Sequence, residues 1–381
     1  MAGPLQGMTI IELAGLGPTP FCGMMLADAG ARIITIARPS DRQGTSLRAK
    51  DRDALSRGRE NIALDLRKPE AVELALRLIS GADALIEGLR PGAMEKLGLG
   101  PDVCLRRNPR LVYGRMTGWG QTGPLAKSAG HDLNYIAVTG ALHAIGPAEE
   151  PTPPLNLIGD YGGGGMLLAF GICAALVETQ RSGKGQVIDA AMCDGAALLM
   201  APFYGLMAAG AWRDERRSNF VDGAAPYYGV YRCSDGKYIS LAPIEPQFYA
   251  LLLQLLELDD EIFTQRDDRT KWPQLRERIA ERFAQRTQAH WCEQLEGTDV
   301  CFAPVLRIAE ASGHPHLRER GTLVEVNGGT QPAPAPRFSR TVSEMAHGAA
   351  SGDAVSRRIL LGAGLADSEI DALIRLGVVA G

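Results

Sequence analysis

A chain of 381 residues, with 45% hydrophobic and 22% charged residues, is long enough for two or three domains and has the composition of an ordinary soluble globular protein. Its net charge of −4 argues against a general nucleic-acid-binding protein, which would carry a basic excess. The seven cysteines are scattered and include no CxxC pair. This pattern argues against a disulfide framework or a metal-binding motif and favours a reducing cytoplasm.

Two features bear on cellular location. The N-terminus, MAGPLQGMTI, lacks the basic region and long apolar core of a signal peptide, so a cytoplasmic protein is predicted. The stretch from Gly195 to Trp212 carries no charge, but it is barely of membrane length and contains Pro202. We interpret it as a buried contact between domains or subunits, and no membrane association is predicted.

The first forty residues predict the opening of a Rossmann-like parallel sheet. MTIIELAG (Met8–Gly15) indicates a strand, the residues as far as Pro20 a turn, FCGMMLADAG a helix that Gly30 closes, and RIITIARP a second strand. The glycine fingerprint of dinucleotide-binding proteins is only partial, because Pro20 stands where a third glycine would be. The fingerprint alone therefore does not identify a ligand.

Arg38 follows the second predicted strand. Dinucleotide enzymes place an acidic residue there to bind ribose hydroxyls, whereas an arginine suits a ribose that carries a phosphate, as in NADP or coenzyme A. The alternative is a solvated surface arginine.

Strands and helices continue to alternate after Arg38. IALDL, ADALIEGL and RLVYGRMTG predict strands, and PEAVELALRLISG predicts a helix with proline in its first turn. Several basic residues fall in loops or at element ends on the same side of this predicted sheet, where they could bind a phosphate-rich ligand: Arg57, Arg59, Arg67, Arg90 and Lys96.

The segment from Arg115 to Gly165 carries the candidate catalytic groups. It contains His131 in a Gly-His-Asp triplet and Asp160 before four consecutive glycines, and an apolar run of helical length follows. If a helix begins near Asp160, the carboxylate lies beside unpaired N–H groups and the positive end of the helix dipole, stays ionised and can act as a base. The N–H groups of residues 160–163 could stabilise a negative oxygen, and the glycines could let a ligand approach the backbone. The alternative is that Asp160 only caps the helix.

The second half of the chain begins like the first and then changes character. KGQVIDAAMCDGAALLM predicts one more strand that runs into a helix. After Asp222, YYGVYRC and KYISLAP flank Ser234-Asp235-Gly236, which predicts a β-hairpin, and helical stretches and the strand-like VCFAPVL follow. QPAPAPRFSR predicts an extended segment, and LADSEIDALIRLG predicts a last helix.

These patterns predict an α/β protein with four segments. They are a large Rossmann-like domain (1–199), a linker (200–224), a small α+β domain (225–310), and a return linker with a C-terminal helix that packs on the large domain (311–381).

Several motifs together resemble the α-methylacyl-CoA racemase family, which has the class III CoA-transferase fold: AGHDLNY, PLNLIGDYGGG, GKGQVIDAAM, DGAAPYY and PIEPQFY. The resemblance runs from residue 1 to about 340, and the residues after 340 follow no motif of the family. It implies an acyl-CoA substrate, a Rossmann-like CoA-binding domain with a smaller α+β domain, and a homodimer of two interlocked subunits. No nucleic acid or metal is implied.

The resemblance also implies roles for individual residues. His131 and Asp160 match the two acid/base residues of the family, and Glu245 matches a glutamate that supports the histidine. Two departures weaken the expected phosphate contact, because Leu89 stands where an aromatic residue is common and Lys96 where an arginine is usual. The implied CoA-binding residues are Arg38, Leu64, Asp65, Leu66, Arg67, Gly88, Leu89, Arg90, Lys96, Gly130, Asp132, Leu133, Asn134 and Tyr135.

The implied reaction interconverts (R)- and (S)-2-methylacyl-CoA thioesters by removing the proton beside the thioester and returning one to the opposite face. Two bases on opposite sides of that carbon suit the reaction, and Glu245 would orient the imidazole. No separate cofactor is expected, since coenzyme A is part of the substrate. His314 and His316 lack a third ligand nearby in sequence, which makes them a poor metal site.

Three other functions are consistent with parts of the sequence. A class III CoA-transferase would use Asp160 as a nucleophile, but transferases of this fold typically have an aromatic residue where this chain has His131. An NADP dehydrogenase would explain Arg38, but the third glycine is missing. A CoA-binding protein without catalytic activity would not need His131, Asp160 and Glu245 together.

Overall fold

The structure, a computed structural model, describes residues 3–39, 53–346 and 348–380. The chain forms two compact units, of which the first comprises Met1–Thr139, Leu155–Leu199 and Gly321–Gly381, and the second Gly140–Pro154 and Met200–Arg320. Three differences from the predicted segments follow: residues 140–154 lie in the second unit, the predicted linker 200–224 is part of that unit, and the unit continues to Arg320.

A seven-stranded sheet organises the first unit, in the order β12-β3-β2-β1-β4-β5-β6. Strands β1 to β6 are parallel, and the two-residue β12 pairs antiparallel with β3. The predicted Rossmann-like parallel sheet is thus confirmed. The strands are β1 (Thr9–Leu13), β2 (Arg32–Ala37), β3 (Arg59–Leu64), β4 (Ala84–Glu87), β5 (Val112–Thr117), β6 (Gln186–Ala191) and β12 (Val379–Ala380).

The central strands are apolar because both faces of the sheet are covered. Ile10 and Ile11 are consecutive and fully buried, yet they belong to two different core clusters, since side chains alternate across a strand. Helix α2 (Pro69–Ser80) buries Leu74 and Ile79 in one cluster, and helices α1 (Pro18–Asp28) and α7 (Leu167–Ser182) contribute to the other.

The helices of the first unit follow or connect these strands. They are α1 (Pro18–Asp28), α2 (Pro69–Ser80), α3 (Ala93–Lys96), α4 (Pro101–Arg107), α5 (Asp132–Ala137), α7 (Leu167–Ser182), α8 (Met192–Leu199), α15 (Asp353–Gly362) and α16 (Asp367–Arg375), with a 3₁₀ turn at Ala54–Ser56. A small hairpin, β10 (Leu323–Val326) and β11 (Gly329–Pro332), also belongs to this unit.

The helix that carries Asp160 begins at Leu157, near Asp160 as predicted, but Asp160 is not its cap residue. A π-helical segment, Leu157–Met166, leads directly into α7, so Asp160 lies within the first turn and Asn156 is the cap residue. By length and composition the whole helix, Leu157–Ser182, could cross a membrane, but half of its most apolar stretch is buried in the protein.

The glycines after Asp160 serve helix packing. A Cβ on Gly163 would lie 2.7 Å from the Ala196 nitrogen in α8, and one on Gly165 would lie 2.7 Å from the Pro18 oxygen in α1. The expectation that this run admits a ligand is therefore wrong for these two residues, because protein backbone occupies the space beside them.

The second unit combines a three-stranded antiparallel sheet with helices. The predicted hairpin is confirmed as β7 (Gly229–Arg232) and β8 (Tyr238–Leu241), and β9 (Phe302–Val305) pairs with β8. A separate core includes Trp291, Phe283 and Tyr231. The helices are α6 (Ala141–Ala144), α9 (Ala201–Ala208), α10 (Pro246–Leu256), α11 (Trp272–Phe283), α12 (Gln288–Leu295), α13 (Ile308–Ala311) and α14 (Pro315–Glu319), with 3₁₀ turns at Glu261–Gln265 and Arg269–Lys271.

Candidate active site

A cavity of 540 Å³ opens at the carboxyl edge of the parallel sheet. The chain runs from β1 to β2 on one side and returns to β4 on the other, and open α/β sheets form ligand crevices at such a reversal of strand order. The walls are the loop after β1, the loop after β4, the end of β5 and the residues leading into α5. The lining residues are Leu16–Thr19, Gly88–Pro91, Met116–Trp119, Ala126, Ser128–His131, Tyr135, Asp160 and Met192.

His131 is the exposed residue that precedes α5 and lines this cavity. Its backbone N–H donates to Oδ1 of Asn134 at 3.1 Å, and the Tyr135 hydroxyl donates to the carbonyl of Gly130. Burial raises the pKa of Tyr135, and the charge of Asp160 adds to this effect, so the phenol stays neutral and keeps its donor proton. Both contacts hold the peptide group between Gly130 and His131, and they thereby fix the backbone that leads into His131.

Asp160 lines the same cavity from the π-helical segment. Its Oδ2 accepts a hydrogen bond from Nδ2 of Asn156 at 2.9 Å. The loop after β1 passes close by: Gly17 has a φ of 68°, and a Cβ there would lie 3.3 Å from Oδ2 of Asp160. Two separate segments, the π-helical segment and the residues before α5, thus bring the two predicted acid/base residues to one cavity.

Sequence reasoning missed Asn156. The signal was its spacing of four residues from Asp160, which places both side chains on one face of a helix. It was overlooked because the helix was predicted only to begin near Asp160, and Asn156 was not assigned to it.

The buried Asp132 connects the segments that carry His131 and Asp160. Its Oδ1 accepts a hydrogen bond from the backbone N–H of Asp160 at 2.6 Å, and its side chain is almost entirely buried. Burial raises the pKa of Asp132 and the Asp160 charge raises it further, whereas the N–H groups of Asp160 and Gly159 oppose the shift. Because this N–H of Asp160 is occupied, the prediction that it stabilises a substrate oxygen is wrong.

Glu87, at the end of β4, holds the loop that contains Gly88, Leu89 and Arg90. One carboxylate oxygen accepts from the Leu89 N–H at 2.7 Å, and the other accepts from Nε of Arg115 at 3.0 Å. Burial raises the pKa of Glu87, opposed by the Leu89 N–H and by Arg115. Sequence reasoning did not identify Glu87 or Arg115, since their contact joins residues from two strands.

The other residues predicted to bind coenzyme A lie in several places. Gly88, Leu89, Arg90, Gly130 and Tyr135 line the cavity. Arg38 follows β2, and Leu64 ends β3 and is followed by residues 65–67, all at the same carboxyl edge. The exposed Arg67 pairs with Asp65 at 2.8 Å. Lys96 is the last residue of α3, and Leu133 and Asn134 are exposed in the first turn of α5. Glu245 precedes α10 in the second unit.

Two of the basic residues predicted to face a phosphate are buried in ion pairs instead. Nε of Arg57 donates to Asp28 at 2.9 Å, and Nε of Arg59 donates to Glu12 at 3.2 Å. Each of the four side chains is at most 5% exposed. The prediction of a phosphate contact is therefore wrong for Arg57 and Arg59, whose charges internal carboxylates neutralise.

The described residues include no group of three His, Cys, Asp or Glu side chains that could hold a metal ion. His314, which sequence reasoning had considered, pairs with Glu296 at 2.7 Å in the second unit.

Comparisons with known proteins agree with this architecture. A model of CoA-transferase family III matches residues 5–352. The chain is 44% identical over 341 residues to the alpha-methylacyl-CoA racemase of Mus musculus, and the aligned residues cover 88% of this chain and 87% of that protein. It is 42% identical over 339 residues to the alpha-methylacyl-CoA racemase of Homo sapiens, with the same coverage of 88% and 87%. A crystal structure of a CaiB/BaiF family protein from Brucella suis has a TM-score of 0.82 and 25% identity, covering 95% of this chain and 100% of that one. The chain therefore belongs to CoA-transferase family III.

Proposed function

We propose that this protein is an α-methylacyl-CoA racemase, an enzyme that interconverts the (R) and (S) forms of 2-methylacyl-CoA thioesters. The observation that carries the proposal is the convergence of His131 and Asp160 on one cavity from two different segments. The identity of 44% to a racemase over most of the chain supports the same activity.

The reaction proceeds by two proton transfers. One of the two residues, the ionised Asp160 for one enantiomer and the neutral His131 for the other, removes the α-proton. The electron pair of the broken C–H bond moves toward the thioester carbonyl to give an enolate. The opposite residue, which holds a proton at that moment, then donates it to the other face of the carbon. Protons and charge balance, because one residue gains the proton that the substrate loses and the other gives one up. In the reverse direction the roles exchange.

The carboxyl edge of the sheet is the proposed binding surface for coenzyme A. Neighbouring strands lie about 4.8 Å apart, so the ends of β3 and β4, three spacings apart, lie roughly 14 Å from each other. Arg38, Leu64–Arg67 and the loop from Gly88 to Arg90 are distributed along this distance. An elongated nucleotide could thus lie along the edge while its thioester reaches the cavity. Lys96, Gly130 and residues 133–135 would add further contacts.

Glu245 is proposed to orient the His131 imidazole, as the family resemblance implies. We also propose a cytoplasmic enzyme that needs neither a metal nor a separate cofactor, because acid/base groups suffice for the proton transfers.

A homodimer is the proposed assembly. The long helix exposes Met166, Phe170 and Val177, and the Phe170 side chain is 71% accessible. Exposed apolar side chains of this kind are typical of a face that a second copy of the chain covers. Light scattering at micromolar concentration should give the mass of a dimer, and a monomer mass would contradict the assembly.

The main alternative is a CoA-transferase, in which Asp160 would attack an acyl-CoA and form an acyl anhydride. His131 favours the racemase, because a nucleophilic route has no need of a second base. The test is NMR of each 2-methylacyl-CoA enantiomer with the wild-type protein in D₂O. A racemase exchanges the α-proton and inverts both enantiomers without any free acid. Transfer of CoA to an added carboxylic acid, without α-exchange, would instead identify a transferase.

A further inference from the structure

We propose that Asp132 is a positioning residue for this reaction: its carboxylate holds the backbone N–H of Asp160 and thereby sets where the Asp160 carboxylate lies in the cavity. The inference rests on the proposed function, in which Asp160 is one of two bases. It assigns Asp132 a role different from the coenzyme A contact that the family resemblance implies.

Asp132 is connected directly to both bases, to His131 by a peptide bond and to Asp160 by a hydrogen bond. Asp132 is the residue directly after His131, and its Oδ1 lies 2.6 Å from the Asp160 nitrogen. One buried side chain therefore links the segment that carries one base to the segment that carries the other. The nitrogen that it holds is bonded to the Cα from which the Asp160 side chain extends, so a shift of this nitrogen moves the carboxylate.

The surroundings of Asp132 are shaped to its carboxylate. A Cβ on Gly159 would lie 2.4 Å from Oδ1, so a side chain at that position would displace the carboxylate. The N–H groups that face Asp132 are those at the start of the long helix, Leu157–Ser182, where unpaired donors and the helix dipole favour an anion. The Asp132 carboxylate satisfies these donors from a neighbouring segment, a function that a cap residue ordinarily performs.

Asp132 should affect the two bases unequally. The backbone around His131 has its own supports, because Asn134 accepts from the His131 N–H and Tyr135 donates to the Gly130 carbonyl. The backbone of Asp160 at its nitrogen is held by Asp132. A displacement of about 1 Å of a reacting group can lower the rate about 100-fold. Removal of the Asp132 carboxylate should therefore slow proton abstraction by Asp160 far more than abstraction by His131.

The experiment measures the two half-reactions separately. In the His131→Ala background, α-proton exchange in D₂O reports on Asp160, and in the Asp160→Ala background it reports on His131. Adding Asp132→Ala should lower exchange by about 10- to 100-fold in the first background and by less than about threefold in the second. Asp132→Asn keeps an acceptor oxygen, so it should retain exchange in the first background within about fivefold of the parent.

Asp83→Ala is the matched control, because Asp83 also accepts a backbone N–H, that of Thr9 at 2.8 Å, at the opposite end of the sheet. Asp83→Ala should change the rate of α-proton exchange only slightly, and by the same factor in both backgrounds. Equal losses from Asp132→Ala in both backgrounds would overturn the proposal. If Asp132→Ala does not fold, Asp132→Asn decides alone, and a loss on the His131 side equal to or larger than the loss on the Asp160 side would overturn the proposal. Failure of the parent variants to exchange opposite enantiomers would instead refute the two-base function.

Discussion

At the residue scale, the Asp160 carboxylate depends on a neighbour that contacts its side chain. Nδ2 of Asn156 donates to Oδ2 at 2.9 Å, and a hydrogen bond to a charged group typically contributes about 1.5–3 kcal/mol. This bond limits the rotation of the side chain and holds the carboxylate in one position. Asn156 therefore contributes to the availability of Asp160 as a base.

Replacement of Asn156 by alanine should lower kcat by about 10- to 100-fold and leave KM nearly unchanged, because Asn156 supports the base and not the nucleotide. Steady-state kinetics with both substrate enantiomers would measure this. Asn108→Ala is the control, since its Nδ2 donates to the Ala82 carbonyl at 2.8 Å outside the cavity lining. Equal kcat values for the two variants would contradict the role of Asn156.

The sequence alone supports His131 and Asp160 as the acid/base residues, because both are short titratable side chains in glycine-rich segments that match a family motif. It does not identify Asp132 as a partner of Asp160, or Glu87 as a partner of Arg115. Those contacts join residues 28 positions apart in the chain, and their existence depends on how the segments pack. Arg57 and Arg59 were misassigned for the same reason, because a basic residue at an element end gives no sign of a buried carboxylate partner.

At the element scale, the helix that bears Asp160 is held by its glycines. A Cβ on Gly163 would lie 2.7 Å from the Ala196 nitrogen and 2.9 Å from the Ile158 oxygen, both backbone atoms that cannot move independently of their helices. The close packing of α8 on the π-helical segment therefore requires glycine at this position.

Gly163→Ala should reduce the free energy of unfolding by about 1–3 kcal/mol through overpacking. It should also reduce kcat, since the displaced segment carries Asp160. Urea unfolding and steady-state kinetics would test both effects. Gly81→Ala provides the control, because Gly81 is exposed at the end of α2 and an added Cβ would come no closer than 3.9 Å to its nearest neighbour. Similar stabilities for the two variants would contradict the packing argument.

Element prediction succeeded where the apolar pattern is continuous and failed at helix starts. Strands such as β2 read as mainly apolar runs because helices cover both faces of the sheet. Helix α1 begins at Pro18, two residues before the end of the predicted turn, since proline is compatible with the first turn of a helix. The π-helical segment could not be predicted, because its apolar and glycine residues follow no period that separates it from an α-helix.

At the scale of the whole molecule, the C-terminal residues complete the core of the first unit. Helices α15 and α16 and strand β12 contribute Ile359, Leu360, Ile370 and Val379 to the cluster that also contains residues of β2 and β3. The family model ends at residue 352, before α15 begins. The predicted C-terminal helix that packs on the large domain thus corresponds to α16, and α15 was not predicted.

Ile370→Ala should lower the free energy of unfolding by about 2–5 kcal/mol, because this side chain is fully buried and its removal leaves a cavity. Leu376→Ala, one residue beyond α16, should change it by less than about 0.5 kcal/mol, since Leu376 is 61% exposed. Urea denaturation measures both variants under the same conditions. Equal effects would show that the C-terminal helix is not part of the core of the first unit.

The central claim is that His131 and Asp160 act from opposite sides of the α-carbon. The most direct measurement is NMR of each 2-methylacyl-CoA enantiomer in D₂O with His131→Ala and with Asp160→Ala, together with optical rotation. Loss of a general base costs about 10²–10⁴ in rate, so each variant should lose racemisation while still exchanging deuterium into one enantiomer without inversion. The two variants should exchange opposite enantiomers. Exchange of the same enantiomer by both variants, or trapping of an acyl anhydride on Asp160 followed by transfer of CoA to a free acid, would contradict the claim.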